Sequence, residues 1–321
     1  MKIPPFKIFN RKPKKKDFLV IEIGLERITC AIFEKEKEAL KLVGVGKKKF
    51  SLQEEVFDSV LEALDSLAAI VPDFPSVGLL GISGGSLETV TTIARVTRSR
   101  PKSPISSKET ENILNEIVEG LDKGEKKIFF STVAGAEIDG VKVTNPLGLK
   151  GEKVEFSCFV AFKNIVEMEM IDRLMSEIDL KIEKIIPTSF AVAKSLEHKN
   201  LKDALIFRAG VENSEITVLE SGHVSEILPI GLGVSEPEHL PLVWRAPIKK
   251  LKKDKYPDLI WIFADQEQVD LTKVKELLLE FHWNSKLGFD VAPKVEVAET
   301  IQHHSPSDIG IYSLGQQEVE R

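Results

Sequence analysis

Apolar residues fill Phe18 to Ile23, broken only by Glu22, and Ala204 to Ala209, broken only by Arg208; each run ends at a glycine, Gly24 and Gly210. A second β-rich run follows each glycine, to Phe33 and to Leu219, and then a third, Ala39 to Val45 and His223 to Ile230. Strand, glycine turn, strand, strand is a β-meander, and this chain writes it twice. Such a repeat predicts two similar domains facing each other across a cleft, with each glycine turn pointing into it. Ligands commonly sit in such places.

Between and after the meanders the period changes. Val56, Val60, Leu61, Leu64, Leu67 and Ala68 predict a helix over Leu52 to Ile70, ended by Pro72 and Pro75. Val77 to Ser83 reads as a buried strand before Gly84-Gly85, and Leu87 to Val96 as another. Ser106-Ser-Lys-Glu109 is a capping-box start for a helix with Ile113, Leu114, Ile117, Val118 and Leu121 inward. Strands are expected at Lys127 to Val133, Glu137 to Val143 and Val154 to Phe162, so residues 86–162 look like a compact α+β insert. A helix over Asn164 to Ile178, with Val166, Met170, Ile171, Leu174 and Ile178 on one side, leads to a strand at Lys181 to Ile186 and a helix at Ser189 to Leu196. Past the second meander come a strand at Leu259 to Ala264, a helix at Asp270 to Trp283, a strand at Lys294 to Val297 and a short helix near Ser307 to Gln316. The alternation gives an α/β class.

Composition narrows the function. A chain of 321 residues, 42% hydrophobic and 29% charged, builds two domains with cores of their own. Cys30 and Cys158 lie in apolar runs without metal-ligand spacing and read as small buried hydrophobes. No apolar stretch approaches the ~20 residues that span a bilayer. Residues 1–16 hold seven cations, Lys2, Lys7, Arg11, Lys12, Lys14, Lys15 and Lys16, and no anion, which leaves 37 cations against 50 anions elsewhere, a net −13. A body so acidic repels nucleic acid, which is excluded as a partner. The arm carries Phe6 and Phe9 among its cations, and two readings stay open: contact with an anionic membrane surface through these residues, or a disordered solubilising arm. His303-His304 beside Ser305 and Asp308 makes no metal set, because adjacent histidines point apart, so no metal site is expected. Lys47-Lys-Lys49 and Lys249 to Lys253 read as solvated turns.

Taken together the order of elements resembles the bacterial actin-like cell-division family FtsA over residues 18–314. Val20-Ile-Glu-Ile-Gly24 is similar to that family's first phosphate loop, Arg98-Ser-Arg-Pro-Lys with Ser106 onward to the entry of its inserted subdomain, and Asn145-Pro-Leu-Gly148 to its Asn-Pro-x-Gly turn. Ile182 to Leu196, with Pro187-Thr-Ser, is similar to the crossing into the second half. The resemblance implies an actin-like (ribonuclease H-like) duplicated fold with an α+β insert of the 1C, or SHS2, type. Its parts would be the arm 1–16, a first half (1A) at 17–85 and 163–187, the insert (1C) at 86–162, a second half (2A) at 188–300, and a segment 301–321 that returns as a helix to the first half. The connection Val234 to Asp258 is too short for the family's lobe 2B, which is therefore expected to be missing.

The resemblance further implies ATP with Mg2+ between the halves, contact with the division-ring tubulin homologue, and a place on the inner face of the cell membrane. The nucleotide positions depart from the pattern. After Gly24 come Leu25, Glu26 and Arg27 where small hydroxyls belong, and the second loop reads Arg208-Ala-Gly210-Val211-Glu212-Asn213 in place of an aspartate and three glycines. Side chains at Val211 and Glu212 are expected to deny room and torsions to amides that cradle phosphate. Arginine at 208, where a carboxylate would hold hydrated magnesium, costs a cation several kcal/mol at an effective dielectric of ~20. Arg27 and Arg208 are left as grips for an anion without metal. The adenosine loop, matched by Phe263-Ala-Asp-Gln-Glu267, has no glycine.

The expectation is a cytoplasmic, non-enzymatic scaffold, with no cofactor, the insert as its interaction module and little reason to self-associate. Two alternatives stay open: an adaptor resembling the pilus-assembly protein PilM, which docks a peptide of an inner-membrane partner, and a working actin-like ATPase.

Overall fold

The computed structural model describes residues 17–36, 39–51, 55–121, 123–196, 201, 203–235, 238–240, 257, 259–283, 289, 291–298 and 305–319. The arm 1–16 with all its cations, His303-His304, Lys249 to Lys253 and most of the connection 234–258 lie outside the described residues.

Among the described residues the strands form three sheets, and two of them share one plan. In the first half β1 (Asp17–Ile23), β2 (Arg27–Glu36) and β3 (Ala39–Lys49) make an antiparallel meander, and β4 (Val77–Ile82) and β9 (Lys181–Pro187) extend it in parallel beyond β1, giving the order β3-β2-β1-β4-β9. In the second half β10 (Ala204–Ala209), β11 (Ser214–Glu220), β12 (His223–Ile230), β13 (Leu259–Ala264) and β14 (Lys294–Val297) repeat it as β12-β11-β10-β13-β14. The central strands β1 and β10 are buried on both faces, which is why they read as unbroken apolar runs rather than as an alternation.

Helices cover both sheets. α1 (Val56–Ala68) and α3 (Ile165–Glu177) close one face of the first sheet, burying Val60, Leu64 and Leu67 with Ile21, Ile28 and Ile171. β3 bears so closely on α1 that Gly46 packs directly on the Ala63 carbonyl. α4 (Thr188–Ser195) and α6 (Ile309–Val319), which follows a 3-10 turn at Pro306–Asp308, pack together between the halves, and α6 also meets β1, β2 and β4. α5 (Leu271–Glu280), capped by the Asp270 carboxylate on the amides of Thr272 and Lys273, covers the second sheet.

The third sheet, β5-β8-β6-β7, is inserted between β4 and α3: β5 (Glu88–Thr97), α2 (Ser107–Gly120), β6 (Lys126–Ile138), β7 (Val141–Val143) and β8 (Lys153–Asn164). Glu137 to Val143 is not one strand as the sequence suggested. β6 continues to Ile138, and Asp139-Gly140, both at positive φ, turn it back into the short β7. The capping box of α2 forms by half: the Glu109 amide donates to Ser106 Oγ, while the Glu109 carboxylate is taken by Arg98 at 2.6 and 3.0 Å. In α3 the buried residues are Met168, Ile171, Leu174 and Met175, and Val166, expected inward, is 68% exposed. Ile171, Leu174 and Ile178 face inward as expected, so the difference is confined to the first turn, where Met168 is buried in place of Val166.

The insert also leans on the second half. Thr91 Oγ1 donates to the Ser225 carbonyl at 2.6 Å, and the Ile227 amide donates to Thr89 Oγ1 at 2.8 Å, so β5 lies along β12 without joining its sheet. Phe130 and Phe159 of the insert meet Phe190 of α4, with centroids 4.9 and 5.1 Å away, where the insert and both halves share one core.

Candidate functional site

The duplication brings equivalent positions face to face. Glu22 of β1 stands beside Gly81 of β4, and Arg208 of β10 stands beside Phe263 of β13, the same places in the two sheets. The residue following each parallel strand, Ser83 or Asp265, donates its amide to the central strand in the same manner, to Ile23 and Ala209. These four positions meet in the middle of the cleft. Arg208 Nη2 is 2.6 Å from Glu22 Oε1, its Nε is 2.8 Å from Asp265 Oδ1, and its Nη1 bonds Ser83 Oγ. All four are buried. Burial alone would favour a neutral guanidinium, but Asp265, Glu22 and Glu215 outweigh it and hold Arg208 more firmly charged than usual. Burial raises the Glu22 pKa, against the pull of Arg208.

A second knot lies beside the first. Glu26, 7% exposed, projects from the first hairpin into the turn after Gly210. Its Oε1 accepts from the amides of Glu212 and Asn213 at 2.7 and 2.6 Å, and its Oε2 from the Val211 amide at 3.0 Å and Gln266 Nε2 at 2.7 Å. Glu215 crosses in the opposite direction, taking the Gly84 amide at 3.0 Å and the Ser189 hydroxyl. At the rim Lys47 reaches Glu267 and Asp308, each at 2.8 Å, and Lys49 reaches Gln268. The hydrogen bond and charge of Lys47 hold the Glu267 carboxyl below its usual range. Lys47 and Lys49 are therefore clasps between the halves rather than members of a solvated turn.

Every nucleotide position that the sequence singled out lies in this cleft, on terms that alter two expectations. Val211 and Glu212 do not prevent the amides from converging; those of 211–213 meet on one carboxylate without any positive φ. Gly210 is needed for room, since a Cβ there would press on the Asn213 carbonyl and stand 3.2 Å from Glu26 Oε1. Arg208 and Arg27 do not stand open as anion grips. Arg208 is held by its own chain's carboxylates, and Arg27 donates to the Ser307 carbonyl at 2.7 Å with Asp308 at 3.8 Å. Leu25 donates its amide to Asp265 at 3.3 Å. Sequence reasoning gave Glu215 and Ser83 no part in the site, and placed Asp265 and Gln266 only in the adenosine-loop match without their bonds to Arg208 and Glu26. One signal was there: an arginine in a strand otherwise as apolar as Ala204–Ala209 requires a buried carboxylate partner.

A groove opens elsewhere, along the outer edge of β6. β7 pairs only with Ala136 to Ile138, and among the described residues no strand pairs with that edge from Lys126 to Gly135. Two cavities flank it and share Ser131. One, about 370 Å3, is lined by Leu114 of α2, Ser131 to Val133, Asn145 to Leu147 and Lys194; the other, about 420 Å3, by Phe129 to Ser131, Asp172 and Ile182 to Ile185. The second side of the groove is β9, itself an edge strand. The Asn145-Pro-Leu-Gly148 turn forms one wall, shaped by the Asn145 side chain on the Leu147 amide and by Gly148 at φ 79°.

Among solved structures the chain is similar to the PilM-PilN type IV pilus biogenesis complex, with a TM-score of 0.59 and 12% identity over 95% of this chain and 99% of that one. The chain has the actin-like fold. It is also similar, at TM-score 0.49 and 9% identity over 94% and 95% of the two chains, to a Bacteroides thetaiotaomicron protein described as having an actin-like ATPase fold and unknown function. The ethanolamine utilization protein EutJ from Carboxydothermus hydrogenoformans gives 0.46 and 11%, over 96% and 92%. No protein-family model and no curated protein sequence matches the chain. Among the described residues no helix is long and apolar enough to cross a membrane.

Proposed function

We propose that this protein is a non-catalytic adaptor of a pilus-type assembly, and that it binds an extended segment of a partner protein along β6. The observation that carries the reading is the β6 edge from Lys126 to Gly135, which no strand among the described residues pairs, lying between two cavities and facing β9. Free strand edges offer backbone donors and acceptors to an added strand, while flanking pockets select its side chains. The cleft supports the non-catalytic part: the amides that would face a phosphate are turned to Glu26, and an ion-paired arginine stands where a metal-binding carboxylate would be needed. The choice of a pilus-type partner over the division-ring tubulin homologue is favoured by the structural likeness to PilM, which runs the length of both chains and whose structure is a complex with PilN. In this reading the basic arm 1–16 lies on an anionic membrane surface.

Two measurements test it. A photoreactive residue in place of Ser131 should cross-link, in cells, to one extended segment of a pilus component, and the same residue at exposed Val291 should not. Labelling at both positions alike would overturn the adaptor site. Titration of the full chain with Mg-ATP should give no saturable heat; binding in the micromolar range, lost on substitution of Gly24, would overturn the non-catalytic part.

A further inference from the structure

Glu26 is a buried carboxylate whose described partners are all amide N–H groups. Three come from the backbone of Val211, Glu212 and Asn213, and two from the side chains of Asn213, at 3.4 Å, and Gln266. No lysine or arginine is among its ion-pair partners in the described residues. Successive backbone amides aimed at one point make a concavity for anions, and here the anion is brought by the opposite half of the molecule. The turn is shaped for the purpose: Gly210 has no room for a Cβ beside Glu26, and Leu25, the residue before Glu26, lies against the same glycine.

We propose that the turn 210–213, with Gln266, is an oxyanion-binding site whose resident ligand is the Glu26 carboxylate of the facing half, and that it accepts a free carboxylate or phosphate oxyanion once that side chain is removed. The tether explains why the intact protein would ignore dissolved anions. A ligand held in fixed orientation on the same chain acts at an effective molarity far above that of millimolar phosphate. Glu26 is thus a latch across the cleft, and its site stays competent without it. The inference rests on the cleft alone and on no partner, so failure of the Ser131 cross-link leaves it untouched.

The test uses the full chain and three forms: unaltered, Glu26→Ala and Glu26→Gln. Glu26→Ala should melt at a lower temperature and recover with ~100 mM acetate or inorganic phosphate, because a ligand that binds only the folded state shifts the folding equilibrium toward it. Chloride at equal ionic strength should not restore it, and the unaltered chain should gain no more from these anions than their general effect on any protein. Glu26→Gln should be destabilised and resist rescue, since its amide fills the space and sets N–H against N–H. Calorimetric titration of Glu26→Ala with pyrophosphate should give saturable heat that the unaltered chain lacks. Equal gains from chloride and phosphate in Glu26→Ala, or a Glu26→Gln protein as stable as the parent, would overturn the proposal. The second result decides it even where Glu26→Ala fails to fold.

Discussion

Glu22 and Arg208, which hold equivalent places in the two copies of the duplicated sheet, are bonded to each other across the cleft at 2.6 Å. The pairing ties the halves through their symmetry-related centres, and Asp265 makes it a triad with more negative than positive charge. Such an arrangement is worth little against a well-packed apolar replacement of the whole, yet breaking it from one side is costly. Arg208→Met should therefore lose about 3–5 kcal/mol of stability, since Glu22 and Asp265 are left buried and unpaired. Adding Glu22→Gln and Asp265→Asn to Arg208→Met should recover a large share. Urea denaturation of the three proteins measures both steps, and a loss within experimental error for Arg208→Met would show the triad to be unimportant.

The close approach of β3 to α1 gives a second expectation. A Cβ on Gly46 would press on the Ala63 carbonyl and stand 2.7 Å from the Leu67 amide, both backbone atoms of a helix that cannot give way like a side chain. Gly46→Ala should cost about 1–3 kcal/mol by overpacking. Gly120→Ala, where a Cβ meets nothing, is the control and should change the urea midpoint little.

Much of this architecture was open to reading from the chain alone, for a physical reason. Strands buried on both faces must be continuous apolar runs, so β1, β10 and β13 announce themselves, and Lys294–Val297 appears within its sequence bounds. The side-chain cap at Ser106 is local and equally visible, and Asn164 and Asp270, read only as helix bounds, also cap their helices. The cleft is otherwise. Glu26 and Gln266 are 240 positions apart, and their meeting depends on how two five-stranded sheets face one another, which no local pattern encodes. The turn at Asp139-Gly140 was written plainly as an Asp-Gly hairpin and was hidden only by the apolar residues on both sides. The first turn of α3 was undetermined because Val166 and Met168 both continue an acceptable stripe.

His223 opens β12 under the insert, its ring against Gly135, with Lys142 and Lys194 of the surroundings and Glu220 of its own hairpin as charged neighbours. Burial, aided by the two lysines, lowers its pKa below the ordinary 6.5, and Glu220 and the Ser221 backbone only partly oppose this. Between that lowered value and 6.5 the unfolded chain binds a proton that the folded chain does not. Stability must then rise with pH across that window and be lost as pH falls through it. His223→Gln should flatten this part of the profile, as measured by urea midpoints well above and well below 6.5. An unchanged slope would assign the acid sensitivity to other groups.

Beside the shared aromatic core, two hydroxyls bond the insert to the second half, and those bonds can be removed without changing shape. Thr91 Oγ1 donates to the Ser225 carbonyl, and Thr89 Oγ1 receives the Ile227 amide, so Val at both positions keeps the volume and deletes the bonds. Each lost bond should cost about 1 kcal/mol, and more where the Ile227 amide is left without an acceptor. The pairing of β5 with β8 and of β11 with β12 is untouched, so the effect should appear at the junction of the sheets and not within them. Amide hydrogen exchange should accordingly quicken at Ile227 in Thr89→Val/Thr91→Val while Cys158 and Phe159 of β8 remain protected. Faster exchange throughout the insert would mean that the two hydroxyls hold its fold rather than its position.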